Sequence, residues 1–426
     1  MSGTTVLILA GMAAVAPAAA QDAVASRAAS LIPLLNGGGD YRASFSPQFV
    51  KAVPEAKFRA IAASLSGQFG AAAVIESISP KADRNEVVVG YAHGRVTLAL
   101  ALDPAPPFPI SGLVATAASA GEATLAEVVD AVAGLPGNTG FALAELGTAA
   151  PRMIAGYQPD RPLAIGSAFK LVVLAALLDE INKGARNWED AVILDGRPLP
   201  GGAFTARPAG SRTTLAELAG VMIANSDNSA TDILLATLGR ERVEAMQARI
   251  GIGEPWRNQP FLSTLEAFKL KGAQGGALGD QWAAIDLAAR RALLKGKVAA
   301  ITPDKIAPDL FAHGPNRIGT VEWFASSADL VRVMDWLRRN SEGPRGAPAR
   351  AILARNPGVP AGESGRRYTG YKGGSEPGVM TMTFLVQGRS GRWFACSAGW
   401  NDAARPIDEG RFGTLVARAL DLIPGQ

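Results

Sequence analysis

The stretch Ala164-Ile165-Gly166-Ser167-Ala168-Phe169-Lys170-Leu171-Val172-Val173-Leu174 decides how the rest of this 426-residue chain is read. A serine and a lysine three residues apart at the start of an apolar helix lie on one face, about a turn apart, so hydroxyl and amine can share a proton. Ser167 is thus a candidate nucleophile and Lys170 a candidate base. The residues from Leu171 to Leu178 are all apolar, which places the helix and its serine at the centre of a domain. By itself Ser-x-x-Lys recurs by chance, and a lysine one turn after a helix-start serine is ordinarily a solvated side chain.

Two further stretches change that reading. Ser226-Asp227-Asn228 follows 59 residues after Ser167, and Lys372-Gly373-Gly374-Ser375 comes late, just before a strand-like run. Taken in this order, the three motifs resemble the active-site set of the penicillin-recognising serine enzymes, the class A β-lactamases and penicillin-binding proteins. The resemblance implies that Ser167 is acylated, that Lys170 accepts its proton, and that Ser226 passes a proton toward the leaving nitrogen. It also implies that Asn228 contacts the substrate amide and Lys170, with Asp227 a structural residue pointing inward. Lys372 and the Ser375 hydroxyl would hold a substrate carboxylate. The backbone N–H groups of Ser167 and Ser375 would form the oxyanion hole, and Gly373 and Gly374 would let a substrate backbone lie close to the strand edge. A free lysine titrates near 10.4, so Lys170 can act as a base only if burial or a nearby positive charge depresses it. Lys372 is expected to supply such a charge.

Two departures from the pattern stand out. Gly373 occupies a position where Thr or Ser is commoner, and the class A loop Glu-x-x-Leu-Asn, whose glutamate activates the deacylating water, is not recognisable. Glu254 and Glu266 are the acidic residues at suitable spacing after Asn228. Glu266 reads first as the last residue of a capping box, Ser263-Thr264-Leu265-Glu266, and second as a deacylation base. Acylation is better supported than turnover.

The apolar run Val6 to Ala16, followed by Pro17-Ala18-Ala19-Ala20, predicts a secretory signal over residues 1–20 and a periplasmic or secreted protein. No Lys or Arg precedes that run, which leaves the true start codon open. Residues 21–115 are expected to form a small α+β domain. Ala23 to Leu35 reads as a helix interrupted by Pro33, Phe45 to Phe49 as a turn, and Pro54 as the start of a helix with Phe58, Ile61, Leu65 and Phe69 inward. Strands follow at Ala73 to Ser79, Glu86 to Tyr91, Arg95 to Leu102 and Ile110 to Ala115, with a turn at Gly90 to Gly94. In this layout and in the stretches Phe45-Ser46-Pro47-Gln48-Phe49 and Pro54-Glu55-Ala56-Lys57-Phe58-Arg59-Ala60-Ile61, the module resembles the small isomerase- or cyclase-like domain that precedes the catalytic domain in a subset of β-lactamase-like proteins, the one of clavulanic acid biosynthesis among them. Residues 116–124, rich in Ala, Ser and Gly, read as a linker.

Residues 125–426 then carry a helix from Leu125 to Ala133, a strand around Phe141 to Leu146, the Ser167 helix, and a helix opened by the capping box Thr214-Leu215-Ala216-Glu217. A further helix spans about Ala230 to Leu238. Another, Ser326 to Arg339, puts Leu330, Val333, Met334 and Leu337 inward. Three strands, Arg367 to Lys372, Val379 to Gln387 and Arg392 to Ala398, precede a C-terminal helix from Gly410 to Ile423. That order resembles the α/β/α sandwich of the β-lactamase/transpeptidase-like fold.

Composition excludes several other functions. A hydrophobic fraction of 48% with 19% charged residues is that of a globular chain, and a net charge of +4 from 42 basic and 38 acidic residues gives no basic run for nucleic acid. Two histidines leave little room for a Ser-His-Asp triad, and His93 and His313 both read as turn residues. One cysteine, Cys396, allows no intramolecular disulfide and no cysteine-pair zinc site, and it reads as a small core residue. No cofactor or metal is implied, and no transmembrane segment is seen after the signal. Three functions remain open: a β-lactam or ester hydrolase, a D,D-peptidase acting on peptidoglycan stem peptides, and a binding module holding a stable acyl-enzyme.

Overall fold

The computed structural model describes residues 18–81, 84–91, 94–120, 124–359 and 366–423. The expected leader, residues 1–20, lies outside them except for residues 18–20, and His93 is also outside them. The chain divides into two compact units, Met1–Ala123 and Thr124–Gln426.

The first unit packs four helices, α1 (Ala18–Leu35), α2 (Tyr41–Ser44), α3 (Pro47–Ala52) and α4 (Glu55–Phe69), with four strands. These strands, β1 (Ala72–Pro80), β2 (Asn85–Tyr91), β3 (Gly94–Leu102) and β4 (Ile110–Ala120), form an antiparallel sheet in sequence order. An aromatic cluster of Tyr41, Phe45, Phe49 and Phe58 anchors the helices, with Phe45 stacked on Phe49 at 4.5 Å between ring centres. Pro33 sits in the last turn of α1 and does not end the helix before Leu35. The expected turn at Phe45 to Phe49 is instead the start of α3: the Ser46 side chain accepts from the Phe49 N–H, and Pro47 occupies the first turn. On α4 the inward face is Phe58, Ala62 and Phe69, while Ile61 is half exposed, because i and i+4 share a face more closely than i and i+3 do here. Residues 116–120 of the expected linker continue β4, paired with β3 at Val96↔Ala118 and Gly94↔Ala120. Small residues are weak strand formers alone, but a ladder on a paired neighbour carries them.

The second unit opens with α5 (Leu125–Ala133), β5 (Asn138–Leu146), β6 (Arg152–Tyr157), the short β7 (Leu163–Ala164) and α6 (Lys170–Asn182). A helical stretch follows: a two-strand ribbon of β8 (Ala191–Ile193) and β9 (Arg212–Thr214), then α7 (Leu215–Ala224), α8 (Asn228–Leu238), α9 (Arg240–Ile250), α10 (Thr264–Gly272), α11 (Ala277–Ala284) and α12 (Leu287–Leu293). The chain returns through β10 (Phe324–Ala325), α13 (Ser327–Asn340) and α14 (Gly343–Ala354) to β11 (Tyr368–Glu376), β12 (Val379–Gln387), β13 (Trp393–Asn401) and α15 (Glu409–Asp421). The sheet is antiparallel in the order β11-β12-β13-β5-β6, so the N-terminal strands complete a sheet begun by the C-terminal ones. Helices α5 and α15 pack together at this sheet, and α13 packs on β5, β12 and β13 and on α6. An antiparallel sheet packed against helices, with a helical stretch between its N-terminal and C-terminal strands, is the layout expected of residues 125–426.

The apolar run of α6 is buried throughout, from Leu171 to Leu178. Truncating one of these leucines to Ala would cost about 2–5 kcal/mol. The inward faces expected for α13 and α15 are those observed, with Leu330, Val333, Met334 and Leu337 on one and Phe412, Leu415, Val416 and Leu420 on the other all buried. Cys396 is fully buried in β13, and burial pushes its thiol up to about 12. Helix α14 has no counterpart in the sequence reading, because Gly343, Pro344, Gly346 and Pro348 look like helix breakers. Two of those residues fall in its first turn, where a proline costs little, and Gly346 fits against the Asn340 and Ser341 backbone where a side chain could not.

Candidate active site

Ser167 is placed by the segment before it. The pairing of β7 with β10 brings Ala164 beside Phe324, and Asn401 at the end of β13 clamps the same residue from the other side. Its Oδ1 accepts from the Ala164 N–H at 2.8 Å, and its Nδ2 donates to the Ala164 carbonyl at 3.0 Å. Gly166 then turns the chain at φ +48°, and Ser167 lies in a 3₁₀ turn, Gly166–Phe169, that precedes α6. The serine therefore sits one turn ahead of the α-helix, not within its first turn. Phe169 fixes this turn by stacking on Trp323 at 3.8 Å between ring centres.

Lys170 is fully buried, and its Nζ meets four oxygens: Ser167 Oγ at 3.1 Å, Ser226 O at 2.5 Å, Ser226 Oγ at 3.3 Å and Asn228 Oδ1 at 2.7 Å. Burial lowers its amine to about 7, against the opposing pull of Asp232 and Asp227. Lys372, also buried, extends from β11 so that its Nζ donates to Ser226 Oγ at 3.0 Å and to the Gly373 carbonyl. It too is lowered to about 7, by burial first and by the charge of Lys170 second. Of the two causes expected for Lys170, burial is the one that lowers its amine, and the Lys372 charge is not among the causes. Ser226, with an amine on either side of its hydroxyl, adopts φ +56°, a left-handed conformation that a serine rarely takes. Asp227 caps α8, accepting from Ala230 N at 2.8 Å, Ser229 Oγ at 2.6 Å and Ala203 N at 2.6 Å, and Asn228 is the first residue of that helix.

Gly374 brings β11 against Ser167. A Cβ on this residue would overlap Ile165 O and the Ser167 and Ala168 amides, and one on Gly166 would come within 3.1 Å of Ser375 N. The Ser167 and Ser375 backbones are therefore neighbours, and the Ser375 side chain is exposed beside them. Two clefts meet at this pair. One, of about 310 Å³, is lined by Ser167, Ser226, Lys372, Gly374 and Ser375, so six of the seven residues expected at the site, with Lys170 beneath them, gather there. The other, of about 180 Å³, is lined by Ser167, Asn228, Thr264, Glu322, Ser375 and Glu376.

Glu266 does not join them. One carboxylate oxygen accepts from Ser263 N at 2.8 Å in a reciprocal capping box, and the other pairs with Arg240 at 2.7 Å. These contacts are those of a helix cap, and Glu266 lines neither cleft at Ser167. Glu254 pairs with Arg257 at 3.5 Å. The box expected at Thr214 is half formed: Thr214 caps the Glu217 N–H, but the Glu217 carboxylate turns to Arg207 and Thr213. His313 is exposed and pairs with Asp309.

Sequence reasoning missed four charged residues near Ser167. Asp232 is buried in α8 and accepts from Thr264 N and Leu265 N at 2.7 and 2.9 Å, joining α8 to the start of α10; burial raises its carboxyl to about 6. Lys271, Glu322 and Glu376 form a buried cluster at the second cleft. A glutamate directly after the Lys-Gly-Gly-Ser motif and another directly before Trp323-Phe324 were the available signals. Among the described residues no group of His, Cys, Asp and Glu is arranged to hold a metal ion, and no helix is long and apolar enough to cross a membrane.

Residues 122–307 match the model of the family described as the beta-lactamase enzyme family. No curated protein sequence matches the chain. Among solved structures, the chain is similar to a β-lactamase from Sphaerobacter thermophilus at 19% identity, covering 71% of this chain and 98% of that one with a TM-score of 0.49. A β-lactamase from Chitinophaga pinensis matches at 15% identity over 70% and 96% of the two chains, with a TM-score of 0.47. A structure described as PBP-A matches at 17% identity over 70% and 93%, also with a TM-score of 0.47. Residues 122–307, which hold the Ser167 turn and the Ser226 loop, are thus similar to the beta-lactamase enzyme family, and the β11 lysine lies beyond the matched stretch.

Proposed function

We propose that this protein is a serine acyl hydrolase that is acylated at Ser167 by β-lactams and hydrolyses them. The observation that carries this reading is the 3.1 Å contact between Ser167 Oγ and a Lys170 amine that burial lowers to about 7. A neutral amine at that distance can take the hydroxyl proton as Oγ attacks an acyl carbon. The oxyanion then forms between the Ser167 and Ser375 amides. Ser226, bridged by Lys170 and Lys372, relays the proton to the leaving nitrogen, while Asn228 binds the substrate amide. Lys372 and the Ser375 hydroxyl receive the substrate carboxylate. The N-terminal unit is read as an isomerase- or cyclase-like module, and the protein as exported to the periplasm or beyond. Cephalosporin-type esters belong to the same substrate class.

A second reading keeps the acylation and changes its fate. Glu266 is committed to the α10 cap, which supports a long-lived acyl-enzyme and hence a D,D-peptidase or a β-lactam-binding sensor. Intact-protein mass spectrometry after mixing with a penicillin and a cephalosporin separates the two. A transient adduct with substrate consumption is expected of the hydrolase and a persistent adduct of the second reading. An adduct retained in Ser167→Ala, or no adduct and no consumption in the native protein, would overturn both.

A further inference from the structure

On either side of Gly374, strand β11 carries two charged side chains on one face. Residues two apart in a strand share a face and lie about 7 Å apart along it, so Lys372, Gly374 and Glu376 form one row over the nucleophile. Gly374 touches the backbone of Ser167, Lys372 reaches Ser226 in the larger cleft, and Glu376 lines the smaller one. An acyl group on Ser167 would therefore have the Ser226 relay on one side and a carboxyl group on the other.

That carboxyl group belongs to a cluster whose charges do not balance. Lys271 Nζ, from α10, donates to Glu376 Oε1 and Oε2 at 2.6 and 2.7 Å and to Glu322 Oε1 at 2.8 Å. Glu322 also accepts from the Trp323 N–H at 3.2 Å, and its side chain is almost completely buried. One ammonium faces two carboxyl groups. A structural tie between α10 and β11 needs only one carboxylate, and a second charge in the same buried place is costly. Glu322 lines the same cleft but is held by two donors, with only 3% of its side chain accessible. Glu376 is the more open of the pair, with a tenth of its side chain accessible, and it faces a cleft of about 180 Å³ that could hold several waters.

We propose that Glu376 is the general base that activates water to hydrolyse the Ser167 acyl-enzyme, with Lys271 and Glu322 positioning it. The inference rests on the reading that Ser167 is acylated. Water enters from the smaller cleft, opposite Ser226, and its oxygen bonds to the acyl carbon while Glu376 takes one of its protons. The tetrahedral oxyanion collapses, the bond from carbon to Ser167 Oγ breaks, and the proton on Glu376 returns to Oγ. Ester and water thus give a carboxylic acid and the free serine. The groups that face Glu376 are Glu322, from the segment before β10, and Lys271, from α10. Burial first and the Glu322 charge second raise the Glu376 carboxyl to about 8, against the attraction of Lys271. A base with a titration point near working pH combines availability with proton affinity.

The test is the adduct lifetime on the full chain, followed by intact mass with a penicillin, in the native protein and in Glu376→Gln. The inference expects acylation within about threefold of native and adduct loss slowed by at least about a hundredfold in the variant, in the range of general-base effects. An unchanged adduct lifetime with normal acylation would overturn it and leave the acylation reading standing, whereas a native protein that forms no adduct and consumes no penicillin overturns both. A merely structural Glu376 would slow acylation and deacylation together. The native protein gives a check that needs no variant: its deacylation rate should climb with pH through the range of a carboxyl raised well above the ordinary, and a rate flat from pH 5 to 9 would sink the proposal.

Discussion

Gly374 and Ser167 meet backbone to backbone, with no room for a Cβ between the strand and the nucleophile's amide. The contact sets the spacing of the Ser167 and Ser375 N–H groups. Gly374→Ala is therefore expected to push β11 away from the 3₁₀ turn and spoil both donors at once. Overpacking of this kind costs about 1–3 kcal/mol of stability, while loss of an oxyanion donor costs about 10²–10³ in rate. Stopped-flow acylation with a chromogenic cephalosporin checks it, and a rate within tenfold of native would mean that the strand does not form the oxyanion hole.

Ser226 holds a left-handed backbone at φ +56° so that its hydroxyl can stand between Lys170 and Lys372. Residues strained in this way cost of order 1 kcal/mol or more and persist where the surroundings demand them. Ser226→Gly removes the strain and the hydroxyl together. Its melting temperature should equal or exceed that of the native protein, while acylation falls about 10²–10⁴-fold for want of the proton relay. A variant that is both less stable and still active would show that the conformation serves packing and not chemistry.

The sequence made the residues that gather around Ser167 legible because each lies in a short local motif. Ser167 and Lys170 are three apart, Asp227 caps the helix that Asn228 begins, and Lys372 and Gly374 share a strand face. The same holds for α13 and α15, whose buried faces repeat at helical spacing. What stayed hidden depends on contacts across the fold. Glu322 and Glu376 become a pair only when β11 and the segment before β10 meet Lys271, and 54 residues separate the two glutamates. Helix α14 was obscured by its own prolines and glycines, and the end of β4 by a run of small residues that only their pairing with β3 makes a strand.

Glu266 joins α10 to Arg240 and closes the capping box with Ser263. Glu266→Ala is expected to lower stability by about 1–2 kcal/mol through the lost cap and a partly buried ion pair. The lifetime of the acyl adduct should change by less than about threefold. Denaturant melts paired with time-resolved intact mass measure both. A large lengthening of the adduct lifetime in this variant, with stability unchanged, would return Glu266 to the role of base and displace Glu376 from it.

Lys170 links activity and stability to pH with a definite sign. Its folded amine titrates at about 7 because of burial, whereas an unfolded lysine titrates near 10.4. Below pH 7 the native state must bury an ammonium, and the cost is present in full. Between about 7 and 10 the native state binds fewer protons than the unfolded chain, so this residue's contribution to stability rises with pH. Lys170→Met removes that term and the base with it. The stability difference, native minus variant, should climb by about 1 kcal/mol per pH unit between pH 7.5 and 9.5, close to the limit for one proton. Taking the difference cancels the titrations of Glu376 and of the buried tyrosines, which run the other way. Acylation of the native protein should rise through pH 7 as the neutral amine appears, and the variant should show no acylation on the same timescale. A stability difference that is flat over this range would mean that Lys170 stays charged in the folded protein, and the base for Ser167 would have to be sought elsewhere.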